Sequence, residues 1–486
     1  MRFILLIGIL FVTQFGEAQN VSDLFRFSKT MYYGTARFEA MGGSFGALGA
    51  DLSSSQINPA GYGRFSTSNA GISIYGGSTK NTAYFQGTYT ETNKGQGGIS
   101  NFAIVITEDK SEEASGFIYR QIGFGFNQIE RFKNTFTYEG QQFESLLDEF
   151  SSQADGYFPE ELNSYFAFST ELAYNTYALN YDNISNSYYS LLNNGDMLHK
   201  RTVETKGGIG EYFFSYSANY LNKLYLGANI GIRSIRYQDS YSHTETLTDT
   251  SNTPLRSFNY EYQYDTKGIG MNIKLGAIYL VSESLRFGFA IHSSTFAELE
   301  DNYSANMSAT FQDSIVLISE SSIPEGNYKY KIRNPGKIVG SIAYVFGTKG
   351  CLNIDIDYLN YKNARFKTTE DLAYTPYDYA YENEIAKTVF QDAVNIRLGG
   401  ELVVFPGFYL RAGIGHYGNA YKKSEKVELN SDLIYSGGIG IKTKLCTLDV
   451  SYRHRSNKRN YYAFSNSQAE INSSTGIIVF SGSISF

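Results

Sequence analysis

Apolar side chains recur at every second position through much of this chain, and that period constrains the fold more than any other feature. In the run from Leu224 to Arg233, Leu224, Leu226, Ala228, Ile230 and Ile232 share one face, while Tyr225, Gly227, Asn229, Gly231 and Arg233 share the other. The same alternation runs through 269–279, 352–358, 394–398 and 408–414. Each run is a β-strand with one oily and one wet face. Beyond the amino terminus, no stretch approaches the roughly 18 consecutive apolar residues that a membrane helix needs. Composition agrees with an all-β chain: 42 Tyr, 35 Phe and 47 Gly stand against 7 Pro. With 41 Lys plus Arg against 48 Asp plus Glu, there is no basic footprint for nucleic acid, and 2 Cys exclude a disulfide-stapled framework.

Alternation alone suits a soluble sandwich as well as a membrane barrel, so the connections must decide. The pattern predicts strands at 68–80, 98–107, 116–132, 206–220, 224–240, 266–280, 284–297, 336–347, 351–362, 392–404, 408–418, 432–443, 446–456 and 474–486, an even set of 14. Tight turns at 221–223, 281–283, 348–350, 405–407 and 444–445 alternate with long connectors at 133–205, 241–265, 299–335 and 363–391. Short turns at one end and long loops at the other characterise an outer-membrane barrel. All seven prolines, at 59, 159, 254, 324, 335, 376 and 406, fall outside these strands, as a closed ladder requires. The expected architecture is therefore a 14-stranded antiparallel transmembrane β-barrel over 68–486, with 133–205 as a long extracellular loop. Tyr and Phe near the strand ends supply interfacial girdles without Trp. The last strand ends on aromatic Phe486, which resembles the signal read by barrel-assembly machinery.

The first 18 residues read as a signal peptide: Arg2, an apolar run from Phe3 to Val12, then small residues before Gln19. Gln rather than Cys at 19 removes a lipoprotein reading, so the expected location is the outer membrane of a Gram-negative bacterium. Residues 19–67 do not fit strands and must sit in the periplasm or inside the lumen. Within them, Gly34-Thr35-Ala36-Arg37-Phe38-Glu39-Ala40-Met41-Gly42-Gly43-Ser44-Phe45-Gly46-Ala47-Leu48-Gly49-Ala50-Asp51, followed by Asn58-Pro59-Ala60-Gly61, resembles the amino-terminal hatch of the FadL/TodX family of outer-membrane transporters for hydrophobic compounds. The resemblance implies a 14-stranded barrel plugged by this segment. It also implies passive uptake of hydrophobic small molecules, of long-chain fatty acid or aromatic hydrocarbon type, with no cofactor. The family fold also serves a secretion-system shuttle or surface-binding protein, which is the alternative reading. The expected partners are the hydrophobic ligand, outer-membrane lipid and the assembly machinery; the expected state is a monomer.

Pro59 fixes its own φ and restricts Asn58 to extended backbone, while the Asn side chain can cap its neighbours. Asn58, Pro59 and Ala60, with the close-approach glycines Gly42 and Gly43, are therefore the candidate hatch and gating residues. Candidate ligand-binding residues are Phe25, Phe27 and Phe38 in the plug, and Phe143, Leu147, Phe150 and Phe166 in the long loop. In that loop, apolar residues at helical spacing and Pro159-Glu160-Glu161 as a helix start predict amphipathic helices, packed as a lid or open as a ligand-capturing groove.

Gly42-Gly43-Ser44-Phe45-Gly46 matches a nucleophile elbow but lacks the strand and helix that motif requires. Asp449, Ser451 and His454 lie on one strand, where no Ser-His pairing can be read, so no catalytic residues are expected. The five histidines show no metal-ligand spacing, so no metal is expected either. Arg233, Lys274, Asp355, Asp357, Arg397, Glu401, Arg411, Lys442 and Asp449 fall on polar strand faces, as paired lumen charges or as a grip on a ligand carboxylate. Cys351 and Cys446, four strands apart, are too distant to bridge.

Overall fold

The computed structural model describes residues 21–486 except 114, 193–195, 249–252, 313–314, 319–324, 369–376, 423–431 and 465–466. The signal-peptide reading, and prolines 324 and 376, therefore lie outside the described residues. Fourteen antiparallel strands follow one another around a barrel: β1 Asn69–Phe85, β2 Thr88–Asp109, β3 Phe117–Arg131 continued by Asn134–Gln142, β4 Met197–Tyr220, β5 Leu224–Leu247, β6 Leu255–Leu280 and β7 Leu285–His292 continued by Phe296–Phe311. They continue with β8 Glu325–Arg333 and Lys337–Val345, β9 Gly350–Asn360 and Arg365–Lys367, β10 Asp392–Phe405, β11 Phe408–Tyr417, β12 Asp432–Lys442, β13 Cys446–Tyr462 and β14 Gln468–Ser485. The seam closes where β14 pairs with β1, from Asn69 opposite Ser485 to Tyr84 opposite Glu470. Closure satisfies the backbone that lipid cannot, as a spanning sheet requires.

The oily face points outward. On β6, Ile269, Met271, Ile273, Leu275 and Tyr279 are exposed, whereas Asn272, Lys274 and Ile278 between them are buried. Tyr220, Tyr279, Tyr344, Phe346 and Phe405 stand exposed near the short-turn end and form the expected lower girdle. Of the nine charges assigned inward, Lys442 is the exception: it ends its strand at that rim and is exposed.

The strand number agrees with the sequence reading, but several boundaries need correction. β1 and β2 are joined by the two-residue turn Gln86-Gly87 instead of a loop at 81–97. Stretches within the expected loops 133–205, 241–265 and 299–335 are also strand. The reason is a phase change above the membrane. Higher on β6 the outward positions are Asn259, Glu261, Gln263, Asp265 and Lys267, while the inward ones are Phe258, Tyr260, Tyr262 and Tyr264. A search for an oily outer face stops at Ile269, yet the strand runs on. At 26 residues, β6 far exceeds the roughly 9–11 residues that span a bilayer.

The long loop, properly 143–196, carries the expected helices α3 (Leu146–Gln153), α4 (Leu162–Tyr165) and α5 (Thr170–Asn175), besides a small hairpin. Ser145 caps α3, accepting from Leu147 N while its own N donates to Asp148. Leu146, Leu147, Phe150 and Leu172 pack with Met197, Leu247, Leu255 and Phe258, which fastens the loop to the strand tops as a lid.

Candidate functional site

The segment before β1 fills the lumen. Every residue from Met31 to Gly63 is buried except Arg37, Gly42 and Ala50, which are half-buried. Thr35 caps the short helix α2 (Ala36–Ala40) through Phe38 N and donates to both Asp51 oxygens at 3.0 and 2.8 Å. The next turn needs Gly42 and Gly43 in the left-handed region, at φ +64° and +72°. Asn58 behaves as expected from its pairing with Pro59. Its Oδ1 accepts from Ala60 N at 3.1 Å, capping the 3-10 turn Pro59–Arg64, and its Nδ2 donates to Gly46 O at 2.7 Å and to Ala277 O on the wall.

The plug meets the wall along two kinds of contact. One is plug atoms, mostly backbone, against the bare backbone of wall glycines. A Cβ at Gly227, Gly276, Gly288, Gly399 or Gly413 would collide with Pro59, Asn58, Gly46, Met41 or Gly42, respectively. The sequence reading gave close approach to the plug glycines and missed their partners on the wall.

The other contact is charged. Asp355 accepts from Phe45 N at 2.9 Å and Gly46 N at 3.1 Å. Arg397 grips Asp357 with two bonds at 2.7 and 2.8 Å, donates to Gly43 O, and stacks on Tyr32. Glu401 takes Arg37 of the plug at 2.8 Å and Arg411 of β11 at 2.6 Å. The inward charges are thus the plug's fastenings.

Above the plug, the helix α1 (Val21–Ser28) buries Leu24 and Phe27 among Ile129, Ile235, Leu299 and Ile332. A cavity of about 610 Å³ lies between this helix, the top of the plug and the barrel wall. Phe25, Phe132, Phe136 and Tyr237 give it aromatic surface. Eight Lys and Arg side chains line it, among them Arg131, Lys133, Arg453 and Arg455, against Glu130, Asp239 and Asp432. Arg131 lies between the rings of Tyr33 and Tyr75, at 3.9 and 3.4 Å from their centres. Its Nε and Nη1, and Nη2 of Arg453, are buried without a hydrogen-bond partner among the described residues.

Beside the cavity the wall is interrupted. The β2–β3 ladder runs only from Asn101–Asn127 to Asp109–Tyr119. Above it β3 swings inward, so that Phe136 packs edge-on against Tyr461 of β13 and Tyr138 meets Phe85 of β1. Asn81 reaches Asn134 from β1. On the β2 side, that leaves a glycine-rich stretch, Gly95, Gly97 and Gly98, without a ladder partner on β3.

The seven candidate ligand residues do not converge. Phe25 lines the cavity, and Phe27 packs behind it. Phe38 stacks on Phe45 inside the plug, Leu147 and Phe150 build the lid core, Phe166 packs beside Tyr157, and Phe143 is exposed. The cationic lining was missed because Arg131 on β3 and Arg453 and Arg455 on β13 lie on two strands far apart in the chain that only barrel closure brings together. Ser44 is tied to Asn353, and on β13 Ser451 is buried inside while Tyr452 faces out; His454 shares the outer parity.

These features define a plugged 14-stranded barrel of the kind that inhabits outer membranes. Its fold is that of the FadL/TodX-type channels. The chain is similar in structure to the toluene transporter TodX of Pseudomonas putida, at TM-score 0.51 and 13% identity over 94% of this chain and 99% of that one. It is likewise similar to a Pseudomonas aeruginosa FadL homologue, at TM-score 0.54 and 11% identity over 94% and 99%. No family profile and no curated protein matches the sequence.

Proposed function

We propose that this protein is an outer-membrane channel, not an enzyme, for passive uptake of hydrophobic small molecules, and that its cargo carries an anionic end group, as a long-chain fatty acid does. The toluene transporter shares the fold, but the observation that favours an acid over a bare hydrocarbon is the cavity lining, where eight cations meet three anions beside aromatic rings. The excess of Lys and Arg in the lining suits a carboxylate, while Phe25, Phe132 and Phe136 accept the apolar part. The lid helices and α1 hold the upper entrance, residues 19–67 act as the hatch, and the interruption between β2 and β3 offers a sideways exit that leaves the plug in place.

Binding of a fluorescent long-chain fatty acid to the purified barrel tests this reading. Arg453→Gln should weaken binding about tenfold, the loss of one charge-assisted hydrogen bond, while toluene binding stays unchanged. Native mass spectrometry of co-extracted ligands should return acids. If the barrel binds neither acid nor hydrocarbon, the surface-binding alternative takes its place.

A further inference from the structure

Outside the lumenal cavity, the register of two neighbouring strands makes a second constellation. His199 on β4 stands opposite Glu245 on β5, and His243 lies two residues before Glu245 on the same inward face. All three are fully buried. Glu245 Oε1 is 2.9 Å from His243 Nε2 and 3.5 Å from His199 Nδ1, and one donor atom from each residue falls within a 4.8 Å set. These positions belong to the strand tops, ten or more residues above the last lipid-facing apolar residue of β5, Ile232.

We infer that His199, His243 and Glu245 form a divalent transition-metal site of the zinc class, which clips the lid loop to the barrel wall. Two imidazoles and a carboxylate are three ligands of a tetrahedral zinc site, whose donors, each about 2.1 Å from the metal, lie roughly 3.4 Å apart. The observed spacings reach that geometry through sub-ångström to ångström shifts. Nitrogen donors disfavour calcium and magnesium, which take oxygen.

A hydrogen-bonded network alone leaves this cluster unsatisfied. Every neutral imidazole carries one N–H and one lone pair, yet Nδ1 of His243 has no hydrogen-bond partner among the described residues, and the His199 ring meets no side-chain partner closer than Glu245 at 3.5 Å. A metal uses the lone pairs. The surroundings supply the outer contacts that orient metal ligands: Ser145 Oγ and Leu146 N donate to Glu245 at 2.5 and 2.7 Å, and the backbone of Gln142 lies beside His199. The Phe464 ring lies 6.2 and 6.1 Å from the two imidazoles and helps to keep water out. Because Ser145 and Leu146 begin α3, occupancy of the site holds the lid at its first turn. The inference is independent of the cargo.

The test uses the full-length barrel in detergent, stripped with a chelator, desalted and offered ZnCl2 or CoCl2. The expected result is one retained equivalent of Zn2+ and, with Co2+, the intense visible bands of tetrahedral coordination. His199→Gln and His243→Gln should each abolish both signals with heat-modifiable mobility intact, whereas His416→Gln/His454→Gln should retain them. Absence of uptake by the native barrel, weak octahedral bands, or loss of metal only in the His416/His454 variant would overturn the site. Should the first two variants fail to fold, the native cobalt spectrum still decides.

Discussion

The lower and upper halves of the lumen are built from opposite materials. Beside the lipid, the interior is polar and close-packed: plug backbone on wall glycines, fixed by Asp355, Asp357, Arg397 and Glu401. Above the membrane, the same strands turn aromatic side chains inward, and α1 and the lid rest on those rings with a large cavity between. Hydrogen bonds and bare backbone admit one geometry, whereas aromatic surfaces tolerate adjustment. The lower half is suited to closing the barrel and the upper half to accommodating a guest.

That contrast breaks most severely at a buried charge. Asp357→Ala leaves Arg397 fully buried without its bidentate partner and should cost about 3–5 kcal/mol, read as release of the plug to protease while the barrel persists on a gel. Gly413→Ala forces a methyl group into the backbone of Gly42 and should cost about 1–3 kcal/mol, read by faster amide exchange across 36–46. Asn58→Ala removes a cap worth about 1 kcal/mol; it should raise ion leakage through reconstituted barrels and alter fatty-acid uptake, and unchanged uptake would make the turn purely architectural.

The upper half should respond to pH instead. Asp301, above the apolar band, is buried beside Asp23 of α1, and burial, with that neighbouring carboxylate, pushes it up to about 7. A raised carboxyl stabilises the docked state fully below its unfolded value near 4 and loses that contribution as pH rises through 7. Protection of α1 amides, taken relative to their intrinsic base-catalysed exchange, should therefore fall between about pH 4 and pH 7 and level off above, and Asp301→Asn should flatten the profile. The smallest effect is expected at exposed Phe143, where Ser should change stability by less than about 0.5 kcal/mol.

What was legible in the chain follows the same division. Lipid imposes a strict outward period, so Leu226 to Ile232 and Ile269 to Tyr279 announce their strands, and Asn58-Pro59 announces its turn through local stereochemistry alone. Above Lys267 no lipid enforces the pattern, and the strand continuations were read as loops. The cavity and the His199–His243–Glu245 group were illegible because their members meet only through register and closure. Single aromatic residues such as Phe38 and Phe27 carry no sign of whether they fill a core or face a space.

The wall glycines also bear on the order of events when the molecule is made. Plug residues precede β1 in the chain, and the seam forms only when β14 reaches β1, with Ala36 N bonded to Ser481 on one side and Leu52 lying over Gly71 on the other. A sheet that curled shut first would face its own bare glycine backbone across an unfilled bore, without the plug atoms that those glycines are shaped to meet. Both seam strands thus rest on the plug, and a chain deprived of residues 21–67 should seal more slowly, read as delayed appearance of the heat-modifiable form.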